Sequence, residues 1–430
     1  MSEQSGLIPN HPGMPGVRWP RNDYSRVPYQ LYHDPDVYRL EQERIFKGPT
    51  WSYVGLEVEI PNPGDFITTF IGETPIILSR GEDNSVYAVV NRCGHRGSIV
   101  RRENYGNAKE HICIYHRWCF ALDGKLMGVP FERGLKGKGG MDKDFDKSEH
   151  GLRKLRVESF SGVLFATFSD ATESLADYLG PVFQGHFTRL FAKPVRVLGY
   201  QRQRIYGNWK FYMENQRDTY HGSLLHEFQA VFGLSRVTQE GGNKMDVHHR
   251  HNLTWARSKT DDDKEFAELY KENKVHEEQL KLEDPEIIKN KREFEDGITL
   301  AICGIFPNAT VHQISNSLAV RQLRMTGPGE FELYWTLFGY VDDSEEMTNH
   351  RLLQANMVGP AGLISMEDGE AIELAHKATG SDQDAYSVIE MGGHGAIPDF
   401  IDHRVNDTPC RGFWAYYSQL MGCEPEGAVR

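Results

Sequence analysis

The sequence predicts an α+β protein, and three observations carry that reading. From Trp51 to about Ser169, short β-branched and aromatic runs alternate with turn residues. Beyond about residue 170, helix-spaced and strand-like segments follow one another in no regular βαβ order, which favours an antiparallel sheet with helices beside it. At 430 residues, the chain is also long enough for two or three domains, each burying its own core.

Residues 1 to about 25 are rich in Pro, Gly and Asn and read as an irregular arm. Residues 34–47 open on Asp34 and carry apolar positions at helical spacing, which predicts a short helix. Strands are expected at Phe66–Thr69, Pro75–Ser79, Val86–Val90 and Val163–Thr167, with hairpin turns at Gly81–Asn84 and Asp123–Gly124. Further on, Trp209, Phe211, Tyr212, Asn215 and Thr219 have helical spacing, while Ala309–Ile314, Ser317–Arg321 and Leu333–Tyr340 look like strands. Residues 259–296 are dominated by Lys, Glu and Asp and predict a solvated or partner-facing helix, with disorder as the alternative. Phe413, Tyr417, Leu420 and Met421 share one face of a final helix that stops at Gly422.

Four residues stand apart from this framework. Cys93 and His95 read Cys-x-His, and after seventeen intervening residues Cys113 and His116 read Cys-x-x-His. The ligands fall on two loops at strand ends, where two tips can close over one group. Two thiolates and two imidazoles suit a two-iron, two-sulfide cluster in which a His pair replaces a Cys pair on one iron, the Rieske ligation that raises the reduction potential. A zinc site uses the same ligand types but is usually built from Cys-x2-4-Cys and His-x3-5-His pairs, whereas each pair here mixes the two. The expected chemistry is single-electron transfer.

The charge balance of 48 Lys+Arg against 61 Asp+Glu gives −13, which leaves no basic footprint for nucleic acid or an anionic membrane. Cys119, Cys303, Cys410 and Cys423 have no disulfide-framework spacing and are expected to be free thiols in a reducing cytoplasm. No basic start followed by an apolar run, and no stretch of membrane-spanning length, is present. A soluble, cytoplasmic protein is the expectation.

A second site is expected around Glu214-Asn215-Gln216-Arg217-Asp218-Thr219-Tyr220-His221, with His226 five residues on. Two imidazoles and one carboxylate leave half an octahedron open, which is what non-haem Fe(II) needs to take dioxygen beside a substrate. Five residues on a regular helix are about 140° out of phase, so a helix there must end or distort near Gly222-Ser223. Asp218, three residues before His221, is better placed to orient His221 than to bind metal. The carboxylate ligand is sought in Met366-Glu367-Asp368-Gly369-Glu370, behind the small residues Gly359-Pro360-Ala361-Gly362.

Together, Cys93-Gly-His95-Arg-Gly, Cys113-Ile-Tyr-His116-Arg-Trp118, Asn208-Trp209-Lys210, Asn215-x-x-Asp218-x-Tyr-His221-x4-His226 and Gly359-Pro-Ala-Gly-x5-Asp368 resemble the large (α) subunits of Rieske non-haem iron aromatic-ring-hydroxylating oxygenases. The resemblance implies an arm and helix over 1–48 belonging to the catalytic domain, a Rieske domain over 49–170, and a helix-grip catalytic domain over 171–430. It assigns Cys93, His95, Cys113 and His116 to the cluster and His221, His226 and Asp368 to the iron. Asn215 and Asp218 become catalytic residues, Asp218 bridging to His116 of a neighbouring subunit. It further implies a head-to-tail trimer, a small β subunit in an α3β3 assembly, and cis-dihydroxylation of an aromatic ring with O2. The electrons come from NAD(P)H through a separate reductase, with or without a ferredoxin, since the chain has no flavin or nicotinamide fingerprint of its own.

Within the family, stretches such as Gly128-Val-Pro-Phe131, Phe294-Glu-Asp-Gly297 and Ile389-Glu-Met-Gly-Gly393 are most similar to terephthalate 1,2-dioxygenases, with salicylate 5-hydroxylases, anthranilate dioxygenases and ortho-halobenzoate dioxygenases as neighbouring relatives. All act on benzoate-type acids, and a carboxylate is best held by an Arg fork. Arg321 and Arg404 are the expected anchors, and terephthalate is the favoured substrate. Ring monohydroxylation is the rival within enzymes; an electron-transfer protein without oxygenase activity is the rival outside them. His248-His249-Arg250-His251 reads as pocket lining or surface, Gly134–Gly140 as a surface loop lacking the P-loop ending, and Tyr220 as packing or a hydrogen bond beside the iron ligands.

Overall fold

The structure is a computed structural model describing residues 14, 16–257, 268 and 282–428. It divides into two units, of which the smaller, Phe46–Tyr178, is inserted into the larger, formed by Met1–Ile45 and Leu179–Arg430. The chain begins in the larger unit with β1 (Arg26–Pro28), α1 (Gln30–His33) and α2 (Pro35–Glu41). Asp34 caps α2 by accepting from the Asp36 N–H, and Pro35 occupies the first turn, where its missing N–H costs nothing. The helix expected over 34–47 continues beyond α2 as a widened π turn at Gln42–Phe46.

The smaller unit holds β2 (Ser52–Leu56), β3 (Asp65–Ile71), β4 (Thr74–Arg80), β5 (Val86–Val90), β6 (Tyr105–Asn107), β7 (His111–Ile112), β8 (Cys119–Phe120), β9 (Leu126–Gly128), β10 (Lys154–Phe160) and β11 (Val163–Thr167). Seven strands form an antiparallel sheet in the order β2-β11-β10-β5-β4-β3-β6, and β7-β8-β9 form a second. Val89, Ile77, Phe66 and Phe120 pack into one core that also takes in Cys93, Cys113 and Trp118. Asn91, just past β5, fixes the first ligand loop to this frame: its side chain accepts from the Val100 and Arg101 N–H groups at 3.0 and 2.8 Å and donates to the Arg101 carbonyl at 2.7 Å.

The larger unit resumes at Leu179, within α3 (Leu175–Leu190), which is broken at Gly180 by a left-handed φ of +66° and restarted by Pro181. Its eight-stranded antiparallel sheet has the order β12-β18-β17-β16-β15-β14-β13-β20. In chain order these are β12 (Val195–Ile205), β13 (Glu240–Met245), β14 (Asn252–Arg257), β15 (Ile298–Ile305), β16 (Ala309–Ile314), β17 (Ser317–Gly327), β18 (Glu330–Tyr340) and β20 (Phe400–Ile401). β16 is buried along its whole length, so both faces of the sheet centre are covered. Helices α4 (Trp209–Asn215), α5 (Glu227–Val231), α6 (Glu345–Val358), α7 (Leu363–Thr379) and α8 (Thr408–Met421) complete the unit, and β19 (Tyr386–Val388) pairs with β1. α8 ends as expected, at Gly422 with φ +65°.

The α+β architecture with antiparallel sheets is therefore the one the sequence predicts. Two details differ. Helical spacing continues to Thr219, yet α4 stops at Asn215, because Asp218 Oδ1 accepts from the N–H groups of Tyr220 and His221 and folds the backbone into a local turn. The charged helix expected over 259–296 falls mostly outside the described residues, and 282–296 holds only a 3-10 turn at Pro285–Ile288. No helix among the described residues is long and apolar enough to cross a membrane.

Candidate functional site

The two Cys/His pairs ride on loops of one design. Cys93 N–H donates to the Ser98 carbonyl and Gly97 N–H returns to the Cys93 carbonyl, at 2.8 and 3.0 Å; Cys113 and Arg117 repeat this with Trp118 and Cys113, both at 2.9 Å. In each, the fifth residue turns the corner in the left-handed region, Gly97 at φ +71° and Arg117 at φ +62°. Gly97 adopts that conformation freely, whereas Arg117 bears strain. Cys93 and Cys113 are buried, and the half-buried rings of His95 and His116 lie 4.5 Å apart. Trp118 of the second loop stacks on His95 of the first at 4.9 Å and 5°, a support that ligand spacing does not announce.

The four residues fit a cluster on physical grounds. Burial pushes the Cys93 thiol up, and Cys113 beside it pushes in the same direction. His95 Nδ1 is buried with no hydrogen-bond partner among the described residues. Buried thiols ionise readily only beside a cation, and an orphaned imidazole lone pair next to them needs one as well. All six cysteines are free, Cys119 donating to Glu110 Oε2 at 2.9 Å.

In the larger unit, a 3-10 turn at His221–Ser223 follows the Asp218 turn, and His226 sits at the N-terminus of α5. This break brings the two imidazoles to 5.2 Å. From α7, Asp368 Oδ1 reaches within 3.4 Å of His221 Nε2 and 3.1 Å of His226 Nε2. His221, His226 and Asp368 each offer one ligand atom, all within 4.8 Å of one another. The far sides of both rings face carboxylates: His221 Nδ1 is 3.1 Å from Asp218 Oδ2, and His226 Nδ1 is 2.7 Å from Glu367 Oε2. The Glu367 hydrogen bond holds the proton on His226 Nδ1 and leaves its Nε2 lone pair for a cation, while His221 Nδ1 lies near Asp218 without a hydrogen bond to it. Asn215 Nδ2 donates to Asp368 Oδ1 at 2.9 Å and steadies the third donor.

The electrostatics agree with a cation site. Burial alone would lower the His221 pKa, but Asp218 and Asp368 lift it to about 10; burial would raise that of Asp368, but the two imidazoles hold it well below the carboxylate range. Of the three acids left open by the sequence, the structure turns Asp368 inward, puts Glu367 behind His226 and leaves Glu370 exposed. The part played by Glu367 was missed; its only sequence signal is its place beside Asp368.

The two arginines differ. Arg404 is buried and committed to its own chain, with Nη1 on the Arg236 carbonyl at 2.5 Å and Nη2 on Ser235 Oγ at 2.8 Å. Arg321, on β17, pairs in register with Thr310 of β16, whose hydroxyl donates to Gln216, the residue after Asn215. No carboxylate pairs with Arg321 among the described residues. His249, Arg250 and His251, expected to line a pocket or the surface, are buried: His249 lies 3.2 Å from Asp399 and Arg250 2.8 Å from Asp246, while His251 Nδ1 accepts from the Phe306 N–H. Tyr220 is exposed.

Comparison with known proteins bears on the whole chain. Residues 50–138 match the Rieske [2Fe-2S] domain family, and residues 194–422 match the family of ring hydroxylating alpha subunits (catalytic domain). The chain is 47% identical to the anthranilate 1,2-dioxygenase large subunit of Burkholderia cepacia, over 94% of this chain and 96% of that one. It is 42% identical to a terephthalate 1,2-dioxygenase terminal oxygenase component subunit alpha 2 of Comamonas sp, covering 95% and 98% respectively. It is 43% identical to the salicylate 5-hydroxylase large oxygenase component of Ralstonia sp, covering 98% and 100%. In fold it resembles naphthalene 1,2-dioxygenase from Rhodococcus sp. bound to indole, with a TM-score of 0.75 at 23% identity over 93% of this chain and 95% of that one. The two family models and relatives over nearly the full length show that the chain belongs to the ring-hydroxylating oxygenase α subunits, enzymes that pair a Rieske [2Fe-2S] domain with a non-haem iron catalytic domain.

Proposed function

We propose that this chain is the terminal oxygenase subunit for an aromatic carboxylate, with His221, His226 and Asp368 holding the iron and Cys93, His95, Cys113 and His116 holding the cluster. When bound, the cluster supplies single electrons and the iron a place for dioxygen beside the ring. The observation that carries the reading is the convergence of His221 Nε2, His226 Nε2 and Asp368 Oδ1 within 4.8 Å, with a carboxylate behind each imidazole. Asp218 and Glu367 orient the two imidazoles, Asn215 restrains Asp368, and Arg321 receives the substrate carboxylate. Terephthalate, favoured on two arginines, keeps Arg321 as support, while Arg404 spends its Nη donors on residues 235–236. Electrons from NAD(P)H arrive through a separate cytoplasmic reductase, and a β subunit completes the assembly.

Asp368→Ala tests the site directly. The expected result is loss of one iron per chain with an unchanged cluster absorption spectrum; an unchanged iron content sinks the assignment. A turnover screen of terephthalate, anthranilate and salicylate with product analysis then separates the substrates, and separates dihydroxylation from ring monohydroxylation.

A further inference from the structure

The centre of the sheet holds a buried cation, Arg321, whose Nη groups have no acceptor among the described residues, whereas Arg404 and Arg411, which set theirs on carbonyl and hydroxyl oxygens, do. Arg351 is matched by Asp343 and Glu293, Arg250 by Asp246, and Lys210 by Glu41. Arg321, only 6% exposed, has no such partner among the described residues. Its guanidinium lies over the Trp335 ring at 4.2 Å, and its one side-chain hydrogen bond among the described residues runs from Nε to His312 Nδ1 at 2.9 Å. Burying an unpaired charge is costly, so an anion is expected to visit this guanidinium.

His312 determines how that anion can approach. It lies on β16 diagonally across from Arg321, is fully buried, and its ring meets Trp335 edge-on at 5.5 Å. Because Nδ1 accepts from Arg321, the ring proton sits on Nε2, which is itself buried without a hydrogen-bond partner among the described residues. Burial and the neighbouring guanidinium hold His312 well below its ordinary pKa, so it stays a neutral acceptor across the working range. A guanidinium can meet a carboxylate side-on, through Nε and one Nη, or end-on, through both Nη atoms. Here Nε is taken.

We propose that His312 is a positioning residue: by occupying Arg321 Nε it turns both Nη groups toward the substrate, so that an aromatic carboxylate is received end-on with Trp335 closing one face of the fork. This rests on the reading of Arg321 as the carboxylate anchor. It makes the acceptor at His312, rather than its bulk, a determinant of affinity for the acid.

Binding separates the two ideas. Anthranilate, terephthalate and salicylate are titrated calorimetrically against the purified oxygenase, with iron content and the cluster spectrum recorded for each variant, and the tightest ligand is followed. His312→Leu, which removes the acceptor, is expected to weaken binding by about tenfold, and His312→Asn, which restores an acceptor near the Nδ1 position, to recover most of it. Should the Leu variant fail to fold, His312→Gln, whose acceptor lies one bond further out, replaces it with a similar loss expected. Arg321→Met is expected to lose more than either. If Arg321→Met binds as the parent does, the anchor itself is wrong; if it fails to bind while the acceptor-deficient His312 variant binds normally, or if Asn restores nothing, the anchor stands and the positioning role falls.

Discussion

His186 shows how far a single imidazole can be removed from its solution behaviour. It is fully buried in α3, and that burial, with Arg189 nearby, lowers its pKa to about 3. In the unfolded chain it titrates near 6.5, so between those values the unfolded state binds a proton that the folded state refuses. Its stabilising contribution is complete above pH 6.5 and is lost as pH falls toward 3. Between pH 7 and 5 this amounts to about 2 kcal/mol, and urea titrations of His186→Gln at the two pH values should show a loss smaller by that amount. An equal loss in both proteins would mean that His186 is not the group responsible. His186 has no motif around it, and nothing in the sequence singled it out. The cluster ligands were legible because each pair sits within four residues and local spacing carries the geometry. Asp368 came only through family resemblance, since it lies 142 residues beyond His226 and the tertiary fold alone brings them together.

At the scale of elements, strand periodicity was the dependable signal. Val86–Val90, Val163–Thr167 and Ala309–Ile314 are strands at the expected bounds, because short runs rich in β-branched and aromatic residues favour the extended chain, though two of the three are buried on both faces. Periodicity cannot report where a side chain captures the backbone, which is how Asp218 ended α4 early. The turn between α6 and α7 depends on close approach. A Cβ on Gly362 would stand 1.9 Å from the Met357 carbonyl oxygen, and one on Gly359 2.1 Å from Gln201 Oε1. Since α7 delivers Asp368, Gly362→Ala should cost about 2–3 kcal/mol and lower iron content, with the cluster spectrum retained. Normal iron loading in that variant would show that α7 is not held by this turn.

At the scale of the whole molecule, the two cofactors belong to separate units of one chain, and the proposed route between them runs from His116 of one subunit to Asp218 and His221 of the next. Co-assembling a cluster-deficient His116→Ala chain with an iron-deficient Asp368→Ala chain tests that route. In a head-to-tail ring of three, every mixed trimer contains one of three junctions with both centres intact and the homotrimers contain none, so a randomly assembled equal mixture is expected to keep about one quarter of parental activity. Transfer within each chain would leave the mixture as inactive as either variant alone.

The insertion of Phe46–Tyr178 into the larger unit also sets an order in time. Strand β1 pairs with β19, so Arg26–Pro28 emerge from the ribosome long before Tyr386–Val388 exist to receive them. By residue 178 every strand of the smaller unit has been made, while the larger unit still lacks all eight strands of its large sheet. At ~5–20 residues per second, the interval from residue 178 to residue 388 lasts roughly 10–40 s. Through that time the cluster-binding unit is already fully synthesised, while the N-terminal segment must wait for its partner.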